Sequence, residues 1–181
     1  MNSKIEEIIL SEQDIQDICL NLGKQITKDY EGKNLVMIGL MKGAMPFMHD
    51  LIKRVDLEFT LSYIKVSSYA GTESTGSISV KDFEEIDVKG KDIILVDDIL
   101  DTGLTLLKLS EYFIEKGASS VKSCVLLDKA AGRKYNYSAN YVGKKIQPKF
   151  VVGYGLDYNE TLRNLPYVGV LKKEVYAKEN D

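Results

Sequence analysis

Asp92-Ile93-Ile94-Leu95-Val96-Asp97-Asp98-Ile99-Leu100-Asp101-Thr102-Gly103-Leu104-Thr105-Leu106-Leu107 is the stretch that decides the fold. Ile93 to Val96 is an unbroken apolar run, as a strand buried on both faces requires, and it ends in two carboxylates. A loop then leads through Asp101-Thr102-Gly103 into residues 104–116, where Leu106, Leu107, Leu109, Ser110, Phe113 and Ile114 recur at helical spacing. A strand's carboxyl end therefore meets a helix's amino end. The first N–H groups of such a helix lack internal partners and carry about half a positive charge, so a phosphate fits there. Thr102 and Thr105 add hydroxyl donors, and Gly103 lets the backbone approach an anion closely or take a positive φ. Asp97, Asp98 and Asp101 would repel a bare phosphate. They make sense if the phosphate is carried on a sugar whose hydroxyls need acceptors and if a divalent cation is near. A lone Asp-Thr-Gly fits an ordinary N-capped loop equally well, with Asp98 or Asp101 as the cap.

Composition sets the outer bounds. The 181 residues, 44% apolar and 28% charged, are enough for one sizeable core, and one domain is expected. A net charge of −3 gives no general attraction to nucleic acid or acidic membranes, so any anion site must be local. No run approaches the ~18 apolar residues of a membrane span, and Met1 to Glu7 lacks a signal peptide's basic and apolar regions, so a cytoplasmic location is expected. Cys19 and Cys124 sit in apolar patterns with no His or Cys at metal spacing, which suits small core residues. His49, the only His, falls inside a helical stretch, and Met37, Met41, Met45 and Met48 are expected to fill core gaps.

Along the chain, Ser11 is a candidate N-cap with Asp14 three residues on, and Ile15, Ile18, Cys19, Leu22 and Ile26 form one apolar stripe. Residues 34–40 read as a strand, followed by Met41-Lys42-Gly43 and a helix over 44–55 with Pro46 in its first turn. That is a second strand–loop–helix junction, and Lys42 adds a mobile cation suited to a diphosphate, although a lone Lys in a loop is commonly surface decoration. Leu57, Phe59, Leu61 and Tyr63 alternate with polar residues, predicting a strand with one wet face that lies at an edge or runs antiparallel. Residues 67–77 are small and polar apart from Tyr69, as in an exposed hairpin loop or a lid. Residues 121–127 predict another buried strand ending in Asp128-Lys129-Ala130-Ala131-Gly132-Arg133. In a parallel α/β sheet all these strand ends open on one side, where Lys42, Asp101, Lys129 and Arg133 can converge. Phe150-Val151-Val152 and residues 167–171 read as short strands.

The run of four apolar residues, two acids, two apolar residues and Asp-Thr-Gly-x-Thr resembles the phosphoribosyl pyrophosphate (PRPP) signature of the type I phosphoribosyltransferases. Leu40-Met41-Lys42-Gly43-Ala44 and Phe150 to Asp157 further resemble the purine salvage branch, the hypoxanthine-guanine phosphoribosyltransferases, so that the resemblance spans about residues 34–171. It implies a type I phosphoribosyltransferase α/β fold. A central, mostly parallel sheet is flanked by helices, with a small hood built from the chain termini and a flexible loop. The single domain would span 1–181, its core roughly 34–128 and its hood roughly 1–10 and 129–181. The implied activity is transfer of the 5-phosphoribosyl group from PRPP to hypoxanthine or guanine, giving IMP or GMP and pyrophosphate.

The same resemblance distributes the roles. Asp97 and Asp98 would hold the ribose hydroxyls, partly through waters of Mg²⁺. Asp101, Thr102, Gly103, Leu104 and Thr105 would cradle the 5′-phosphate, with Leu104 contributing no side-chain contact, and Asp101 would be the general base. Lys42, Gly43 and Arg163 would serve pyrophosphate, with a cis peptide just before Lys42. Ser68 and Tyr69 would close over the site. Lys129 would donate to the purine 6-oxo group, Phe150 would stack on the ring, and Val151 would offer its backbone. Asp157 would serve purine and a second Mg²⁺, and Arg133 would support the pyrophosphate side. Relatives form homodimers or homotetramers. The contrasting expectation is a regulator of the same fold that binds PRPP or nucleotide and RNA. With about 33 residues before the first expected strand and no basic cluster, an added DNA-binding module has no room.

Overall fold

The structure, a computed structural model, describes residues 1–68, 78–81 and 86–177, with 66–68 and 78–81 described by backbone alone. Ser68 is thus placed only as backbone, and Tyr69 lies outside the described residues, as does most of the expected lid.

Strand β1 (Ile5–Leu10) leads into helix α1 (Glu12–Asp29). The helix starts where the sequence predicts. Ser11 N–H donates to Asp14 Oδ2 at 2.8 Å and Asp14 N–H to Ser11 Oγ at 3.1 Å, a reciprocal cap that contributes about 1 kcal/mol. Ile15, Cys19, Leu22 and Ile26 form its buried stripe. Then come β2 (Leu35–Met41), α2 (Met45–Ile52), β3 (Thr60–Ser68), β4 (Ile78–Lys81), β5 (Asp92–Leu100), α3 (Leu104–Glu115) and β6 (Ser120–Asp128). A single 3₁₀ turn (Ala130–Gly132), β7 (Tyr141–Lys145), β8 (Val151–Val152), β9 (Val168–Leu171) and α4 (Lys173–Tyr176) complete the described chain.

The main sheet has the order β4-β3-β2-β5-β6-β7, with β3, β2, β5, β6 and β7 parallel and β4 antiparallel at the edge. On β5, Ile94 and Val96 pack into the cluster containing α1 and α2, and Ile93 and Leu95 into the one containing α3. That double burial is why the run lacks polar alternation. β5 continues past Val96 to Leu100 because β6 runs on beside it, pairing Ile99 with Leu127 and Leu100 with Asp128. A second sheet of order β1-β9-β8 is antiparallel and joins the beginning of the chain to its last strands.

Two expectations need correction. β3 is neither at an edge nor antiparallel to its inner neighbour: it lies parallel to β2, and β4 forms the edge. Of the alternating residues, Leu57 and Phe59, which precede β3, and Tyr63 pack against the core, while Leu61 stays 40% exposed, so the expected dry face is interrupted. Met37 and Met48 are core residues, but Met41, the last residue of β2, and Met45, the first of α2, are 37% and 45% exposed. Cys19 and Cys124 are fully buried and free, as expected. Among the described residues no helix is long and apolar enough to cross a membrane.

Candidate active site

β2, β5 and β6 run parallel, so the loops after them open on one side of the sheet, the position where α/β proteins bind ligands. The β5–α3 loop is built as an anion cradle. Gly103 caps α3 at φ 90°, with no side-chain capping bond and no acid in the first turn. Neither Asp98 nor Asp101 caps the helix, so the ordinary-loop account fails. Leu104 N–H reaches only Thr102 Oγ at 3.4 Å, a weak contact, and the next bond into the helix is Leu107 N–H to the Gly103 carbonyl. First-turn N–H groups therefore face a small cavity of about 90 Å³ lined by Asp97, Asp101, Thr102, Gly103 and Thr105.

This loop is pinned from behind. Lys134 and Tyr135 donate their backbone N–H to the Thr102 carbonyl at 3.0 and 3.1 Å. Arg133 donates Nε to the Asp101 carbonyl at 2.9 Å, and its terminal nitrogens reach the Tyr137 carbonyl and the Asp128 carboxylate, each at 2.5 Å. Arg133 therefore braces the β5–α3 loop, its side chain running close under Gly103.

Asp97 and Asp98 stay in contact, Asp98 N–H donating to Asp97 Oδ1 at 2.9 Å and the two carboxyl groups hydrogen-bonding each other, although they border different loops. Successive residues of a strand point to opposite faces, so Asp97 borders the α3 cavity while Asp98 lies against Gly43 on the α2 side. A Cβ at Gly43 would overlap the Asp98 carboxylate, which is why glycine stands there. Burial pushes both carboxyls above the ordinary range. The Asp98 charge raises Asp97 further, while hydrogen bonds and the charge of Arg163 pull Asp98 only partly back.

The β2–α2 junction differs from the open trap that the sequence suggests. Ala44 N–H is bonded to the Leu40 carbonyl at 3.1 Å, Met45 N–H to the Lys42 carbonyl at 3.2 Å, and Pro46 has no N–H to give. Two of the N–H groups at this helix start are therefore already engaged. Side-chain charge adds to the junction beside a Met41–Lys42 peptide that is cis, as the resemblance implies. Lys42 Nζ meets Glu160 Oε2 at 2.6 Å. Arg163 meets Asp157 at 2.8 Å, Glu160 Oε1 at 3.1 Å and the Gly155 carbonyl at 2.7 Å, and its buried Nε has no hydrogen-bond partner among the described residues. Gly155, at φ 99°, packs so closely on the Gly43 carbonyl that a Cβ there would overlap it. The 153–163 segment is thereby docked onto the junction. Tyr154 fastens it, donating to Asp50 Oδ2 of α2 at 2.6 Å, and Gln16 of α1 donates to the same oxygen at 3.0 Å.

A third group completes the site. Lys129 Nζ lies 2.5 Å from Asp101 Oδ2, so the expected base and the expected purine donor are neighbours. The other Asp101 oxygen sits where a Cβ of Gly132 would be. Phe150 is 40% exposed and stacks on Tyr176, with centroids 5.2 Å apart, while Tyr158 meets its edge at 5.8 Å. Its carbonyl accepts from Leu171 N–H at 2.8 Å, so by antiparallel alternation the N–H and C=O of Val151 point away from β9. Asp50, Tyr154, Glu160 and Tyr176 were not singled out from the sequence. Only Glu160 carried a local signal, an acid three residues before Arg163.

No group of three or more His, Cys, Asp or Glu side chains able to hold a metal occurs among the described residues. The acids fit a divalent cation of the kind that keeps its waters and takes one or two carboxylates plus substrate phosphates. Asp97 and Asp98 are close in sequence and disfavoured as a charged pair without a cation, while Asp157 is already paired with Arg163.

Residues 6–159 match the phosphoribosyl transferase domain family. The chain belongs to that family. It is 48% identical over 178 residues to a hypoxanthine-guanine phosphoribosyltransferase of Staphylococcus aureus, covering 98% of this chain and 99% of the relative. A crystal structure of a hypoxanthine phosphoribosyltransferase from the same organism superposes with a TM-score of 0.92 at 49% identity, over 97% of this chain and 98% of that one. The Trypanosoma cruzi hypoxanthine phosphoribosyltransferase, in complex with its product IMP, superposes with a TM-score of 0.92 at 35% identity, over 97% of this chain and 99% of that one.

Proposed function

We propose that the protein is a purine salvage transferase, moving the 5-phosphoribosyl group of PRPP to hypoxanthine or guanine with release of pyrophosphate. One observation carries the reading: the Asp101 carboxylate and the Lys129 ammonium lie 2.5 Å apart beside the open amino end of α3. A proton acceptor, a donor for a 6-oxo oxygen and a phosphate cradle thus meet at one point.

Cleavage of the C1′–pyrophosphate bond builds positive charge on the ribose and negative charge on the diphosphate, and catalysis must stabilise both. The α3 amino end and the Thr102 and Thr105 hydroxyls hold the 5′-phosphate. Asp97 and Asp98 accept ribose hydroxyls or bound waters from opposite sides. Lys42 and Arg163 serve the diphosphate, and Asp97, Asp98 or Asp157 would hold Mg²⁺, which would supply further charge neutralisation when bound. Asp101 takes the imidazole proton of the incoming base. Lys129 donates to the 6-oxo oxygen and rejects a 6-amino group, which would face a donor with a donor. Phe150 offers the ring face opposite Tyr176, and Val151 its outward backbone, to the purine. The RNA-binding regulator gains no support, since Lys42, Lys129, Arg133 and Arg163 are each paired with a carboxylate.

Product analysis with PRPP, Mg²⁺ and a panel of hypoxanthine, guanine, xanthine and adenine tests the reading. IMP and GMP are the expected products. Lys129→Ala should shrink the preference for hypoxanthine over adenine in kcat/KM by at least about tenfold. An unchanged ratio would remove Lys129 from base selection.

A further inference from the structure

Glu160 lies in the pyrophosphate part of the site and has no part in the roles above. Its two carboxylate oxygens are used separately: Oε2 accepts from Lys42 Nζ at 2.6 Å and Oε1 from Arg163 at 3.1 Å. One anion therefore bridges two cations that the chain separates widely, as the two ends of a diphosphate would. The bridge is reachable from solvent, with Lys42 54% and Glu160 64% exposed at the side chain.

The backbone shows how deliberately this carboxylate is presented. Tyr158 and Thr161 exchange N–H···O bonds of 3.1 and 3.0 Å, closing a two-residue turn. Both central residues, Asn159 and Glu160, have positive φ, at 48° and 61°. Such a turn favours Asn followed by Gly, and a glutamate in the second place bears a conformational penalty that glycine avoids. Glu160 N–H is further held by Asp157 Oδ2 at 3.0 Å, which aims the side chain at the cation pair.

We propose that Glu160 is a built-in competitor of the diphosphate, a carboxylate that shares Lys42 and Arg163 with it, weakens its grip and eases its departure after transfer. The inference rests on the assignment of Lys42 and Arg163 to the diphosphate made above. Lys42 and Arg163 hold Glu160 below the ordinary carboxylate range, so it is charged across the physiological pH span. It acts on the affinity for the diphosphate and takes no part in making or breaking the bond at C1′.

The test is calorimetric titration of inorganic pyrophosphate, with Mg²⁺, into the wild-type protein and Glu160→Gln. Pyrophosphate inhibition against PRPP is measured in parallel. Exposed ion pairs of this kind are individually modest, so Glu160→Gln should bind pyrophosphate about three- to tenfold more tightly, with the inhibition constant falling alike and the KM for the base unchanged. A merely structural glutamate predicts the reverse, because its loss would scatter Lys42 and Arg163. Equal or weaker pyrophosphate binding by Glu160→Gln overturns the proposal. Glu160→Gly removes the same charge while easing the turn. Tightening by glycine but not by glutamine would assign the effect to the backbone and also overturn it. Failure of the wild-type protein to bind pyrophosphate at all would instead sink the underlying assignment of Lys42 and Arg163.

Discussion

The two strand–helix junctions after β2 and β5 look alike in sequence and differ in chemistry. Each follows a buried parallel strand and carries a glycine before a helix. At β5–α3, Gly103 in the left-handed region leaves first-turn N–H groups open, and the loop is pinned by Arg133 from the segment after β6. At β2–α2, the Leu40 and Lys42 carbonyls take the N–H groups of Ala44 and Met45 and Pro46 has none, while the side-chain cations Lys42 and Arg163 stand beside the junction. The lesson is that an anion can be held by a helix end or by side-chain cations. The first is rigid and shaped for one phosphate, and the second is adjustable, which suits a group that must leave.

Asp101→Asn should have the largest effect on this contrast. It keeps the shape of the phosphate junction but removes its proton acceptor, so kcat should fall by about 10²–10⁴-fold in steady-state assays. Full-rate turnover would deny that junction any chemical role beyond binding. Arg133→Ala should be next. It strands Asp128 in a pair whose side chains are only 18% and 13% exposed, and it frees the Asp101 carbonyl. A loss of about 3 kcal/mol is expected. Thermal unfolding should then begin about 6–12 °C lower. Lysine should not restore it, having no planar fork to reach several acceptors at once.

Alanine at the two glycines separates the junctions by cause. Gly103→Ala is opposed by backbone conformation, since φ is 90°, whereas Gly43→Ala is opposed by contact with Asp98. Both should lose about 1–3 kcal/mol in chemical denaturation. Adding Asp98→Ala should recover stability only in the Gly43 variant, as a double-mutant cycle would reveal. The smallest effect is expected at Asp50, which anchors Tyr154 and so the pyrophosphate side. Burial alone would raise its pKa, but hydrogen bonds from Lys53, Tyr154 and Gln16 outweigh it and hold it below the ordinary value. A depressed folded pKa stabilises above the unfolded value near 4 and loses that contribution as pH falls through the folded one. Asp50→Asn should therefore cost about 1 kcal/mol at neutral pH, with the gap in Tm closing below about pH 4. A gap independent of pH would show that the aspartate charge does not fasten the junction.

Much of this was legible in the chain. The Ile93–Val96 run, the Ser11–Asp14 cap and the Asp101–Thr105 motif are local patterns, in which hydrophobic period and turn chemistry act over a few residues. The surroundings of Asp97 and Asp98 were less so. Adjacent letters suggest a pair, and the fold keeps the two carboxyls in contact, but only the structure shows that Asp97 borders the α3 cavity while Asp98 lies against Gly43. The contacts of Arg133 with the Asp101 and Tyr137 carbonyls and with Asp128 were not legible, because nothing in Lys129 to Arg133 tells where a long side chain folds back. Tyr154 and Asp50 carry no motif of their own and meet across 104 residues of chain, and the contact of Glu160 with Lys42 spans 118.

Sequence alone determined the class of fold, the parallel strands with their loops on one side, and the set of residues able to meet a phosphorylated sugar and a purine. Tertiary structure decided which helix end stays open, which cations are shared with a resident carboxylate, and which carboxylate faces which loop. The physical reason is range. Strand and helix patterns are set by neighbours a few residues apart, whereas hydrogen-bond satisfaction and charge pairing depend on groups that only folding brings within about 3 Å.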